Sequence, residues 1–193
     1  MGAFVVEEGA QQLMERIAKY RRRMRGALAV VVTIAALVLS ASPAEASGTY
    51  SGRAYIYGGG TWVGDWGDEG DLSTGTNTYS NATCLWQKIL WADGLLAASD
   101  IDGIFGSKTK AQTLYWQEMR ELSGLDGIAG KETFGKADNY LSEISEDSSG
   151  AFTLQYDGIY YNPYFIRNAD GNYGFYDGTN TYRLAGYDYR TCS

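Results

Sequence analysis

Four carboxylic acids lie close together in the segment GDWGDEGD, which begins at Gly64. They are Asp65, Asp68, Glu69 and Asp71. Glycosidases cleave sugar polymers with two carboxyl groups that face each other across a cleft. Burial must raise the pKa of one of the two so that it can donate a proton. Four acids in one Gly-rich loop are more typical of a solvated surface, so we predict that this loop is not catalytic. Its spacing also differs from that of an EF-hand calcium loop.

Other catalytic chemistry is limited by composition. The chain has no histidine, which excludes a Ser-His-Asp triad, a Cys-His pair and a His-based zinc site. Two cysteines are too few for a Cys-rich metal site. We therefore predict a protein that is not an enzyme and that uses neither a cofactor nor a metal.

The first 46 residues have the order of a secretory signal peptide. Four arginines between positions 21 and 25 precede an apolar run at residues 27–39, and Ala44-Glu45-Ala46 forms a small-residue cleavage site. The apolar run is shorter than the roughly 20 residues that span a bilayer, although a short membrane anchor is the alternative. We expect a secreted protein, extracellular or associated with the cell wall, that has no membrane contact after cleavage.

Net charge and cysteine content restrict the partners and the fold. Six of the 16 basic and four of the 23 acidic residues precede residue 47, which leaves 10 and 19 and a net charge of −9. This balance argues against nucleic acid as a partner, because phosphate binding needs clustered Lys and Arg. Export permits a disulfide between Cys84 and Cys192, worth about 4–5 kcal/mol for a loop of this length. Two buried free thiols are the alternative.

Residue patterns divide the exported chain into four segments. Residues 47–80 are rich in Gly, Tyr and Trp and favour irregular strands or a β-hairpin. Apolar spacing in residues 81–144 predicts helices at about 81–93, 107–123 and 131–144. Residues 145–150 are typical of a linker. Residues 151–193 hold nine of the 16 tyrosines and three Asp-Gly turns, which favour two or three antiparallel strands.

Two similar turns interrupt the helical segment. Asp102 to Gly106 reads DGIFG, Asp126 to Gly130 reads DGIAG, and each is followed three residues later by a threonine, Thr109 or Thr133. The sequence thus repeats a short motif at a spacing of 24 residues. Turn chemistry alone explains an Asp-Gly pair, so a purely structural role for these residues is one hypothesis.

With these two turns in register, residues 84–141 resemble the small three-helix peptidoglycan-binding domain attached to many bacterial wall hydrolases. Trp86 stands where the family prefers Leu, and Gln112-Thr113 stands where it prefers Ala-Val. The matching positions are Trp86-Gln87, Leu90, Gly94, Asp102 to Gly106 and Thr109, followed by Trp116-Gln117, Gly124-Leu125, Asp126 to Gly130, Thr133 and Leu141.

The resemblance implies a three-helix peptidoglycan-binding-like bundle. With the residue patterns described above, this predicts an α+β protein in which short antiparallel β-hairpins flank the bundle and a Cys84–Cys192 disulfide is formed. The resemblance also implies non-catalytic binding of a glycan strand or a stem peptide, because aromatic rings with polar tips suit both ligands. The candidate ligand-binding residues are Gln87, Trp91, Asp102, Phe105, Thr109, Trp116, Gln117 and Asp126. Core packing is the alternative role for the aromatic members.

Two other functions stay open on the sequence. The chain could be a small wall-lytic enzyme, a muramidase or a peptidase, that uses Asp65 or Asp68. It could also be an adaptor or inhibitor that binds a cell-wall hydrolase through the Tyr-rich β region.

Overall fold

The computed structural model describes residues 52–192. The predicted signal peptide and the first residues of the predicted β segment lie outside this range. The described part contains three α-helices, α1 (Asn81–Ala92), α2 (Ser107–Met119) and α3 (Lys131–Asp138), followed by five strands. The strands are β1 (Leu141–Glu146), β2 (Phe152–Tyr156), β3 (Tyr164–Arg167), β4 (Tyr173–Tyr176) and β5 (Tyr182–Leu184). No helix in residues 52–192 combines the length and the apolar character that a membrane span requires.

Helix α1 confirms the predicted first helix. It begins after Ser80, whose hydroxyl accepts a hydrogen bond from the Thr83 N–H at 3.0 Å, as N-cap serines do. It ends at Ala92, and Gly94 beyond the cap residue Asp93 has φ 76°, while the Leu95 N–H donates to the Leu90 carbonyl at 2.8 Å. This is a Schellman ending, in which a residue with positive φ closes the helix.

Helix α2 begins where predicted but ends at Met119 rather than at residue 123. The Leu122 N–H donates to the Gln117 carbonyl at 3.0 Å, and Glu121 between them has φ 58°. The same Schellman geometry therefore ends α2, with a glutamate where glycine is usual.

Helix α3 contradicts the prediction of a helix at 131–144, because it ends at Asp138. Residues from Leu141 to Glu146 form β1, which pairs antiparallel with β2 from Leu141 opposite Tyr156 to Glu146 opposite Phe152. The apolar spacing of Leu141 and Ile144 suggested a helix, but pairing with a strand that follows in sequence overrides it. Of the linker predicted at residues 145–150, Ser145 and Glu146 belong to β1, and the remaining residues lie in the turn between β1 and β2.

The five strands form one antiparallel sheet in sequence order, β1-β2-β3-β4-β5. The Tyr-rich tail supplies four of them, more than the two or three predicted. Residues 52–80 form no strand within the described part. Isolated β-bridges, such as those of Tyr55 with Gly186 and Tyr57 with Asn172, are among their contacts with the other segments. This segment therefore lies along the other elements and does not form a hairpin of its own.

The prediction of a three-helix bundle flanked by short hairpins is wrong. The three helices exist, but the described part of the chain also contains a five-stranded sheet. Ten of the twelve residues of α1 are buried, so this helix has no solvent-facing side of the kind that a bundle helix keeps. It contacts α2 on the helical side and β5 on the sheet side. Helix and sheet thus share one core.

Aromatic rings connect the two halves of this core. Trp86 of α1 contacts Trp116 of α2 and Phe134 of α3, with ring centroids 5.1 and 5.3 Å apart. Phe134 also contacts Trp66, which packs on Phe165 of β3 at 5.8 Å. All five side chains are fully buried, so helices and sheet are packed through edge-to-face aromatic contacts.

The predicted disulfide between Cys84 and Cys192 is confirmed, with Cα atoms 6.6 Å apart. Next to it, the side-chain amide oxygen Oδ1 of Asn81 accepts hydrogen bonds from the backbone N–H groups of Thr191 and Cys192 at 2.8 and 3.1 Å. Asn81 is fully buried. A covalent bond and a buried amide together hold the end of the chain against the start of α1.

Candidate functional site

The first Asp-Gly turn is held by the side-chain amide of Gln87. Its oxygen accepts from the N–H groups of Asp102 and Gly103 at 3.0 and 2.7 Å. Its nitrogen donates to the Asp102 carboxylate at 2.9 Å, and to the Ile104 carbonyl and the Thr109 hydroxyl at 3.2 Å each. One glutamine on α1 therefore satisfies most of the polar groups of the turn.

The second turn repeats the arrangement with Gln117 of α2. The amide oxygen accepts from the N–H groups of Asp126 and Gly127 at 3.1 and 2.9 Å. The amide nitrogen donates to the Asp126 carboxylate, the Ile128 carbonyl and the Thr133 hydroxyl, all at 2.9 Å. Gly103 and Gly127 have φ values of 70° and 71°, so both turns use the same left-handed position. The sequence repeat is therefore also a repeat of structure.

Most of the predicted ligand-binding residues form hydrogen bonds or packing contacts within the protein. Gln87, Thr109 and Gln117 are buried in the two turn networks, and Phe105 and Trp116 are fully buried in the core. Asp102 and Asp126 keep some exposure but each accepts a backbone bond within its own turn. Of the eight candidates only Trp91 lies outside these roles; it is partly buried and contacts the Tyr-rich tail.

A small pocket of about 170 Å³ lies beside the first turn. The Lys108 ammonium lies 2.7 Å from the Asp100 carboxylate at its rim. This contact holds the pKa of Asp100 below its ordinary value. The pocket has the size of one side chain or one chain end rather than of a sugar chain. Its lining comprises Gln87, Leu96, Asp100, Asp102, Ile104, Gly106, Ser107, Lys108 and Thr109.

The acidic loop is more buried than predicted. Asp65 is almost inaccessible, and its carboxylate accepts from Tyr173 Oη at 2.7 Å and from Arg167 Nη1 at 3.1 Å. Burial raises the pKa of Asp65, although Tyr173 and Arg167 oppose the rise. Asp65 thus ties the loop to β3 and β4. An open cavity of about 450 Å³ lies beside it, lined also by the exposed Asp68.

Glu69 directly follows the solvent-exposed Asp68 but is itself fully buried. Its carboxylate accepts from the Tyr57 N–H at 2.7 Å and from Tyr187 Oη at 2.5 Å. Burial raises the pKa of Glu69 to about 8 in spite of both hydrogen bonds. The prediction that the whole loop is solvated is therefore wrong for Asp65 and Glu69. Within residues 52–192 no three acids or cysteines are grouped in a way that could hold a metal ion.

The buried carboxylate of Asp93, directly after α1, binds groups from α2, from β2 and from the loop that follows β2. Asp93 Oδ2 accepts from Trp116 Nε1 and Arg120 Nη2 at 2.7 Å each and from Tyr156 Oη at 2.9 Å. Asp93 Oδ1 accepts from the Ile159 N–H at 2.9 Å. The Asp93 carboxylate thereby anchors the loop between β2 and β3 on the end of the helix. Sequence patterns offered no sign of this role, because a lone Asp after a helix is usually solvated.

That loop presents aromatic rings to solvent. Tyr161 stacks on Trp91 with centroids 4.3 Å apart and an angle of 3° between the rings, while Tyr160 lies over Gly94. We call the half-exposed rings of Tyr160 and Tyr161, together with the partly buried ring of Trp91, the aromatic surface. The sequence placed two of them only in a general Tyr-rich tail. The available signal was the run Ile159-Tyr160-Tyr161, which does not alternate as a strand facing a core would.

No protein family, no curated protein and no solved structure matches this chain. The resemblance to the peptidoglycan-binding domain therefore depends on the motif positions alone.

Proposed function

We propose that this chain is an exported bacterial protein that binds peptidoglycan non-covalently through residues 81–144 and the surfaces beside them. In this proposal it is a divergent relative of the peptidoglycan-binding domain family and carries no catalytic site. Its partner is the wall polymer, and it is found outside the cell or on the wall.

The observation that carries the proposal is the duplicated turn network. The positions at which the chain resembles the family, Gln87 with Asp102 and Thr109 and Gln117 with Asp126 and Thr133, are the positions that hydrogen-bond to one another. If the sequence match were due to chance, we would not expect the matching residues to form the same five hydrogen bonds in both turns. The motif therefore corresponds to one structural unit used twice, and this unit is what we propose the chain shares with the family.

The disulfide and the charge balance support the same proposal. The disulfide suits an oxidising compartment outside the cytoplasm. The acidic balance disfavours nucleic acids and anionic wall polymers, for which clustered Lys and Arg would be needed. Peptidoglycan, a glycan with short peptides, does not need a basic surface.

Co-sedimentation tests the proposal. The chain without its predicted signal peptide is mixed with purified insoluble peptidoglycan from which proteins and teichoic acids have been removed, and the pellet is analysed. We expect folded protein to sediment with peptidoglycan and not with cellulose. Heat-unfolded protein controls for adhesion of exposed core. Folded protein that stays wholly in the supernatant contradicts the proposal.

A wall-lytic enzyme is the second candidate, favoured by the cavity beside Asp65 and Asp68. Asp65 is committed to Arg167 and Tyr173, so Asp68 is the informative position. Clearing of a wall suspension by the protein, abolished in Asp68→Asn and retained in Asp157→Asn, would establish this activity. Asp157 is an exposed acid on the loop after β2 and serves as the matched control.

A further inference from the structure

We infer that the aromatic surface binds the glycan strand of peptidoglycan, a β-1,4-linked chain of N-acetylated hexosamines, by stacking sugar rings on Tyr161 and Tyr160. The inference rests on the proposed function and specifies which part of the polymer is read. It also assigns a role to residues outside the stretch that resembles the family, since Tyr160 and Tyr161 belong to the tail.

Tyr161 offers a flat ring face to solvent. Trp91 covers one face of the Tyr161 ring in a parallel stack, and 50% of Tyr161 is nevertheless exposed. The exposed half therefore includes the opposite face. Sugars present a flat apolar face bordered by hydroxyl groups, and a ring with an apolar body and a polar tip complements both features.

Tyr160 extends this surface next to Gly94. A Cβ at Gly94 would lie within 2.6 Å of two carbons of the Tyr160 ring, so only glycine lets the ring lie over the end of α1. Tyr160 keeps 49% of its surface exposed. Tyr160 and Tyr161 therefore place two half-exposed tyrosine rings on the same loop.

The rings are ordered before any ligand binds. The N–H groups of Tyr160 and Tyr161 both donate to the Ala92 carbonyl, at 2.9 and 3.1 Å, and Asp93 holds the N–H of Ile159. Gly158 lies so close to Ala92 that no side chain would fit there. A preordered aromatic surface binds with a smaller loss of conformational entropy, which is the usual advantage of rigid aromatic contacts.

Exposed area favours a sugar over a protein partner. Three aromatic residues of about 200 Å² each, at most half exposed, offer about 300 Å². A stable protein interface needs about 800 Å² on each partner. An apolar surface of a few hundred Å² on a monomer is often a ligand site. The aromatic surface therefore suits one or two sugar rings.

Binding of N-acetylglucosamine hexaose, a soluble β-1,4-linked probe, tests the inference by titration with calorimetry or tryptophan fluorescence. We expect wild-type protein to bind at millimolar probe concentrations, and Tyr161→Ala to weaken binding about fivefold or more. Tyr161→Phe keeps the ring and should stay within about twofold of wild type. Tyr176→Ala is the matched control, because Tyr176 is 48% exposed on β4 and lies outside the aromatic surface. Circular dichroism and thermal unfolding verify that each variant is folded.

The outcomes separate this inference from the proposed function. No binding of the hexaose by wild type, or equal binding by wild type and Tyr161→Ala, overturns the inference. Displacement of the protein from insoluble peptidoglycan by free stem peptide, but not by the hexaose, also overturns it and leaves the proposed function intact. The protein could also bind the hexaose in a Tyr161-dependent way but fail to sediment with whole peptidoglycan. That result would support the glycan site and contradict the proposed function.

Discussion

Replacing Gln117 with leucine should destabilise the protein by about 2–4 kcal/mol. The substitution removes the amide that accepts from the N–H groups of Asp126 and Gly127 and that donates to three oxygens of the second turn. Two of those oxygens keep another donor: the Ile128 N–H bonds the Asp126 carboxylate, and the Thr133 hydroxyl bonds the Ile128 carbonyl.

The remaining cost comes from two backbone donors. Gly127 is buried, so its N–H loses its partner without access to water, at a cost of about 1–3 kcal/mol. Asp126 is exposed, so water replaces part of its lost bond. The leucine side chain recovers little, because the site is lined by polar atoms. A loss of this size is a large fraction of the 5–15 kcal/mol by which domains are usually stable.

Urea unfolding followed by tryptophan fluorescence measures this change. Gln112→Leu is the matched control, because Gln112 lies partly buried on the same helix and takes no part in either turn network; it should change stability by less than about 0.5 kcal/mol. Gln87→Leu should resemble Gln117→Leu. The two networks share no partner, so the double variant should lose the sum of both. Losses below about 1 kcal/mol for both glutamines, or no difference from Gln112→Leu, would refute the reasoning.

Three further predictions concern the rest of the fold. Because the folded protein raises the pKa of Glu69 from 4.5 to about 8, it binds a proton that the unfolded chain releases. The free energy of unfolding should therefore fall by up to about 5 kcal/mol as pH rises from 4.5 to 8, and Glu69→Gln should remove this part of the fall in urea titrations; parallel pH profiles would contradict this. Cys192→Ser should lower stability by about 4 kcal/mol in chemical unfolding, and a reducing agent should have the same effect on wild type but none on the variant. Glu121→Gly should raise stability by about 0.5–1 kcal/mol, because Glu121 holds a φ of 58° that glycine adopts without strain; an unchanged or lower unfolding midpoint would count against that.

Features that depend on nearby residues were predictable. The first helix, its glycine ending and both Asp-Gly turns follow from turn chemistry and helix caps, which involve neighbours in sequence. The disulfide was predictable for a different reason, since the chain has only two cysteines and the predicted export would permit the bond. The doubled Gln and Asp-Gly spacing was visible too, although its role as five repeated hydrogen bonds was not.

Features that depend on distant pairing were not predictable. Leu141 to Glu146 carries a helical apolar spacing, and only its pairing with Phe152–Tyr156 makes it a strand. The burial of Asp65 likewise depends on Arg167 and Tyr173, about a hundred residues later. The residues next to Asp65 in sequence do not reveal these partners, so the local sequence does not distinguish a buried aspartate from a solvent-exposed one.

The starts of the helices and the pairing of the two cysteines could be predicted from the residues alone, because they depend on local turn chemistry and on composition. The set of aromatic and polar side chains that a ligand can reach could not be predicted in this way. Packing buries Trp116 and Gln117 in the core and the turns, and it leaves Tyr160 and Tyr161 exposed on a loop held by Asp93. The exposure of a residue depends on all the elements that pack around it, and no local pattern contains them.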